Sequence, residues 1–140
     1  MRAVVQRVSR AAVTVGGETV GSIGAGLLVY VGVTHSDTPA TASALARKVH
    51  ELRILDGERS AAELEAPLLV VSQFTRYGDT RKGRRPSWAG AAPAEAAQPL
   101  VDQVVEALRE RGAVVETGRF RAMMEVSSTN VGPITMLVEV

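Results

Sequence analysis

The chain has 140 residues, 46% of them hydrophobic and 22% charged, with no cysteine and a formal net charge of +1. These totals fit one globular domain spanning residues 1–140, long enough to bury about 70% of the surface its unfolded chain exposes. They exclude disulfides, thiolate catalysis and Cys-ligated zinc, and no apolar run approaches the roughly 20 residues of a spanning helix. The start of the chain has neither the apolar stretch nor the small-residue cleavage site of a secretory signal, so a cytosolic, membrane-free address fits.

Residues 1–8 alternate, with Val4, Gln6 and Val8 on one side and Val5 and Arg7 on the other, which predicts a strand. Two further strands are expected at 11–15 and 18–23, on either side of Gly16-Gly17, a dipeptide suited to a tight hairpin. Residues 27–33 are apolar on both faces and read as a central strand. Thr38-Pro39 supplies an N-cap and a first helical residue, and Ala42, Leu45, Ala46, Val49 and Leu52 repeat at helical spacing, so a first helix ends near Arg53. Residues 56–66 form a connection of undefined shape. Another doubly buried strand, 68–71, then delivers Ser72-Gln73-Phe74-Thr75 at its end, and 76–90 is a long loop.

A second helix opens at Ala92-Pro93, with Pro99 in or near its first turn, a stripe of Leu100, Val101, Val104, Val105 and Leu108, and a stop at Gly112. Strands at 113–116, 122–127 and 134–140 close the chain, the last entered through Asn130-Val131-Gly132-Pro133. The expected fold is α+β, with layered or barrel-like mixed and antiparallel sheets and two packed helices.

Between Arg76 and Arg85 five basic residues face one acid, Asp79, for a local charge of +4 that leaves the rest of the chain at −3. Such a loop suits a phosphate-bearing ligand, since guanidinium forks grip phosphates bidentately; a solvated arginine-rich surface loop is the plain alternative. His35 and His50 have no nucleophile motif beside them and read as structural or solvated. Ser72 and Thr75 carry hydroxyls, yet Gly-x-Ser-x-Gly is absent, and such groups often bond to nearby backbone. No His/Asp/Glu grouping has metal-ligand spacing, so neither metal nor cofactor is expected. Gly132-Pro133 alone is a turn before a strand, with Asn130 placed to support it.

Two stretches, residues 72–75 continuing through Asp79-Thr80-Arg81-Lys82-Gly83-Arg84-Arg85-Pro86-Ser87, and Asn130-Val131-Gly132-Pro133-Ile134-Thr135, resemble the signature motifs of D-aminoacyl-tRNA deacylases. The opening residues 1–9 and Thr117-Gly118-Arg119-Phe120 are similar to that family as well. The resemblance implies a homodimeric hydrolase that cleaves the ester joining a D-amino acid to the terminal adenosine of tRNA, with the pocket at the subunit interface. It further implies a cis Gly132-Pro133 pair inserted into the partner's pocket to exclude L side chains, held there by Arg7. Ser72, Gln73, Phe74 and Thr75 would line that pocket, with backbone N–H groups near Phe74 offered to the ester carbonyl. The terminal ribose 2′-OH would assist hydrolysis, and glycyl-tRNA would escape exclusion. Arg81, Lys82, Arg84 and Arg85 are expected to contact the acceptor end, on the strength of their charge. Arg76, Val131 and Arg121 stand where apolar, polar and small residues respectively are common in that family, and Arg59-Ser60-Ala61-Ala62-Glu63 replaces a Met-Asn-x-Ser-like segment. A non-catalytic RNA-binding module and an esterase for small acyl esters are the alternatives.

Overall fold

In the computed structural model, which describes residues 1–140, the two strands expected at 1–8 and 11–15 are one, β1 (Arg2–Val15). The exposed Ser9-Arg10 step that suggests a break is instead a register shift inside a continuous strand. One edge of β1 is shared by two antiparallel neighbours: β2 (Glu18–Ile23) pairs with its second half and β3 (Gly26–Gly32) with its first. Its other edge pairs from Arg2 to Thr14 with β6 (Glu125–Glu139). The separate strands expected at 122–127 and 134–140 therefore belong to a single element that carries the Gly-Pro corner within it.

β4 (Leu68–Ser72) lies parallel to β3, and β5 (Val115–Thr117) parallel to β4. The resulting sheet runs β2-β1-β3-β4-β5, with β6 beside β1. Its ends come round to each other: a Cβ on Gly21 of β2 would stand 2.3 Å from the carbonyl oxygen of Thr117, the last residue of β5. A side chain there would force this near-closed, barrel-like sheet open.

β3 and β4 are covered on both faces, as their unbroken apolar sequences require. Leu27, Val29 and Val31 with Leu68 and Val70 face the helices, whereas Leu28, Leu69 and Val71 fill a smaller cluster inside the curve with Val8, Val13 and Ile23. Helix α1 (Pro39–Glu51) begins as expected, with Thr38 and Thr41 forming a reciprocal capping box and proline in the first turn. The connection at 56–66 has more order than its composition suggests. Leu55 and Arg59 exchange backbone hydrogen bonds across Gly57 and Glu58, both at positive φ, and a one-turn helix α2 (Ala61–Leu64) follows, capped by Ser60. Three helices are thus present, not two.

Helix α3 (Ala94–Glu110) buries the expected stripe through Val101, Val104, Val105 and Leu108. Pro99, however, lies in its interior, beyond the first turn, so the Glu95 carbonyl receives no N–H from it. Burial of the whole stripe outweighs that one lost bond. Truncating a core leucine such as Leu45 or Leu108, both fully buried, costs about 2–5 kcal/mol.

The two long helices are clipped together at their carboxyl ends. His50, 5% exposed, accepts a hydrogen bond at Nδ1 from Arg111 Nε at 3.0 Å, and Arg111 Nη2 reaches Glu51 at 2.6 Å. At the end of α1 the helix dipole favours a charged His50, but burial first and the Arg111 charge second hold its pKa below the usual value. The unfolded imidazole, near 6.5, therefore takes up its proton before the folded one does. Acidification below that value favours unfolding until folded His50 is itself protonated. Urea denaturation at pH 7.5 and 5.5 should show the midpoint falling in the acid, and His50→Gln, which keeps an acceptor without titrating, should flatten that dependence.

Candidate active site

β3 and β4 end side by side, and a cavity of about 790 Å³ opens where they stop. Its walls are Tyr30, Val31 and Val33 from the β3 end, Val71, Ser72, Gln73 and Phe74 from the β4 end, the first two turns of α3 through Ala94, Ala97 and Val101, and the turn from Phe120 to Met124. Sixteen of the nineteen lining residues are hydrophobic, so the polar lining is confined to Ser72, Gln73 and Arg121.

Beyond Gln73 the chain turns into a 3-10 helix at Phe74–Tyr77. The Gln73 side chain does not cap it, and the leading N–H groups of such a turn have no acceptor within the helix. Phe74, the first residue of that turn, is part of the cavity lining. Phe74 is 62% exposed and meets the Trp88 ring edge to face, with centroids 5.1 Å apart. Trp88 in turn sits on Gly78, where a Cβ would come within 2.5 Å of the indole. Thr75 is exposed and lies outside the cavity lining, so Ser72, Gln73 and Phe74 come together there without it.

The basic loop leaves and returns at this aromatic pair. Asp79 and Ser87 close its base with two backbone hydrogen bonds of 2.7 and 2.8 Å. Its downstream end is tied to the residues after β3: Thr34 Oγ1 donates to the Gly90 carbonyl at 2.6 Å, and His35 Nε2 lies 2.8 Å from the Ala89 carbonyl. His35 is therefore structural, as is His50. Within the loop, the Arg81 guanidinium grips the Asp79 carboxylate at 2.6 to 3.1 Å, and that hydrogen bonding holds Asp79 down to about 2. Arg81 is thus engaged within the chain, whereas Lys82, Arg84 and Arg85 are exposed and form no ion pair.

The Gly132-Pro133 corner is produced by a mismatch in register. Gln6 pairs with Thr135 and Val8 with Asn130, so Arg7 alone faces the four residues 131–134, and the excess chain must bulge outward. Asn130 staples the bulge, its Nδ2 donating to the Arg7 and Ile134 carbonyls at 2.9 Å each, and Thr135 Oγ1 donates back to its Oδ1 at 3.4 Å. The Gly132-Pro133 bond is cis, and both residues are exposed. Gly132 has φ +116°, outside the range L side chains adopt readily, and an added Cβ would lie 2.9 Å from Ile134 Cγ1.

Arg7 packs beside this corner, its Nη1 3.3 Å from Asp56 and its Nε buried without a partner. The Asp56 contact has no signal in the sequence, because it depends on how the 56–66 connection folds back over β1. Neither Gly132, Pro133, Asn130 nor Arg7 lines the cavity of the same chain. Trp88, Phe120 and Arg121 do line it; sequence reasoning placed Trp88 in an undifferentiated loop and gave Arg121 no role. The signal available for Trp88 was an aromatic residue just past a basic run.

A family model described as D-Tyr-tRNA(Tyr) deacylase matches residues 4–139. Curated D-aminoacyl-tRNA deacylases of Streptomyces coelicolor and Thermobifida fusca are each 64% identical to this chain, with all of both proteins aligned. A solved structure titled c-Myc DNA Unwinding Element Binding Protein superposes with a TM-score of 0.93 at 37% identity, covering 100% of this chain and 99% of that one. Another, of a probable eukaryotic D-amino acid tRNA deacylase, shares the fold at a TM-score of 0.85 and 16% identity, covering 99% of this chain and 98% of that one. Matched along nearly its whole length by the family model and end to end by these relatives, the chain belongs to the D-Tyr-tRNA(Tyr) deacylase family.

Proposed function

We propose that this member of an ester-hydrolase family frees tRNA of D-amino acids and of glycine, and rejects L-aminoacyl-tRNA by inserting its Gly132-Pro133 corner into a partner subunit's cavity. The observation that carries this reading is the separation of two parts within one chain. The cavity around Ser72, Gln73 and Phe74 lacks the corner, and the corner projects exposed from β6 with nothing of its own chain to act upon. β6 pairs along only one edge, and Met136 and Leu137 are 42% and 75% exposed, which suits a second copy packing against it.

Water adds to the ester carbonyl, the bond to the ribose oxygen breaks, and free amino acid and tRNA leave. Backbone N–H groups at the start of the 3-10 helix would stabilise the oxyanion, and the ribose 2′-OH beside the ester would assist proton transfer. The Ser72 and Thr75 hydroxyls then have no need to act as nucleophiles. Size selection alone gives only about 1–3 kcal/mol per methylene, too little against an excess of L-aminoacyl-tRNA, whereas a rigid obstruction on the side of the L side chain discriminates further. Glycine has only hydrogen on that side and passes.

Time courses with D-tyrosyl-, L-tyrosyl- and glycyl-tRNA should show release of the first and last only; equal release of both tyrosine enantiomers would defeat the gate. Gly132→Ala, strained at its backbone, should lose discrimination. Mixing it with Phe74→Ala chains should restore D-selective turnover through hybrid dimers that carry one intact corner opposite one intact pocket. Absence of complementation would place the gate within a single chain.

Lys82, Arg84 and Arg85 are proposed as the contacts to the acceptor end. Replacing these three with alanine should weaken tRNA binding and flatten the plot of log affinity against log salt by about 0.7 per contact for single-stranded RNA. Arg81→Ala should do less, because Asp79 already engages that charge. A substrate ending in 2′-deoxyadenosine should be hydrolysed at least tenfold more slowly, while Thr75→Ala keeps most activity; a folded but inactive Thr75→Ala would point to a nucleophile instead.

A further inference from the structure

Arg121 is the one charged side chain among the residues that line the cavity, and it forms no ion pair within the chain. Its backbone lies at φ +65°, in the left-handed region, where a residue other than glycine is disfavoured by about 1 kcal/mol or more. It sits in the turn between Phe120 and Met124, on the far side of the chain from the Asp79–Ser87 neck in sequence, yet the cavity brings it to the same opening as Phe74 and Trp88. A guanidinium held on strained backbone beside a cavity with no other charged group in its lining calls for an anionic group on the ligand.

An aminoacylated tRNA end entering this cavity carries two charges close to the ester. The amino acid's ammonium is repelled by Arg121; the phosphodiester leading into the terminal adenosine is attracted. Resting on the reading that the cavity takes the aminoacylated end, we propose that Arg121 binds the phosphate joining the terminal adenosine to the nucleotide before it. It thereby holds the aminoacylated end in the cavity that Ser72 and Phe74 line. The planar fork of arginine can meet two phosphate oxygens at once, which lysine cannot reproduce. This contact is separate from those of Lys82, Arg84 and Arg85, which lie on the other side of the Asp79–Ser87 neck and reach outward.

The test compares D-tyrosyl esters of adenosine and of adenosine 5′-monophosphate, with D-tyrosyl-tRNA as the full substrate. Arg121→Gly suits the left-handed backbone, so it should fold with an unchanged or raised melting temperature. It should raise KM about tenfold for the monophosphate ester and for tRNA, with kcat little changed, and leave the adenosine ester unaffected. Arg121→Lys should fall between wild type and Arg121→Gly. Equal loss on the adenosine and monophosphate esters, or no loss on either, would overturn the phosphate contact. Failure of the wild-type protein to cleave even D-tyrosyl-tRNA would instead overturn the deacylase reading, so the two failures are told apart.

Discussion

One residue of β1 facing four of β6 is the constraint from which the exposed Gly132-Pro133 corner follows. A sheet tolerates such an excess only by looping it out, and with β1 already occupied along its opposite edge by β2 and β3 the excess has nowhere to go but outward. The corner is therefore held by long flanking ladders on either side, from Arg2 to Gln6 and from Arg10 to Thr14, and needs no packing of its own. Asn130 completes it by bonding to both sides of the loop. A protrusion anchored in this way can be rigid and solvent-exposed together, a combination that surface loops seldom reach.

The support of the cavity has the opposite character. β3 and β4 are buried on both faces and pair in parallel, so their carboxyl ends are fixed relative to each other to the accuracy of the core. Polar chain begins where the strands stop, with Ser72 and Gln73 leading into the 3-10 helix at Phe74–Tyr77. Chemistry that relies on orientation and hydrogen-bond donors is well matched to such a support, because its efficiency depends on placement more than on acid or base strength.

Much of this was legible in the sequence where local physics settles the outcome. Thr38-Pro39 starts α1, the α3 stripe is buried, and the doubly apolar runs at 27–33 and 68–71 are central strands. Asn130 supports the corner as its type and position suggest. The failures share a cause. Ser9-Arg10 and Gly132-Pro133 look like breaks because local propensity does not contain the pairing that carries a strand across them, and Pro99 looks terminal because tertiary burial overrides its lost hydrogen bond. The 56–66 connection defied reading because two positive-φ residues and a single helical turn leave almost no periodic trace. At the site, charge counting found the basic loop but could not see that Arg81 is bound to Asp79, and no pattern of spacing joins Trp88 and Arg121 to the end of β4.

The Asp79–Ser87 neck has a mechanical consequence. Two hydrogen bonds at the base, with Trp88 seated on Gly78 just behind them, set residues 80–86 apart from the cavity lining. Residues 80–86 extend beyond the neck, and of their four charges only Arg81 is paired, with Asp79 at the neck itself. The charge of the tip and the shape of the cavity are thereby set by separate residues, so substitutions within 80–86 leave the cavity lining untouched.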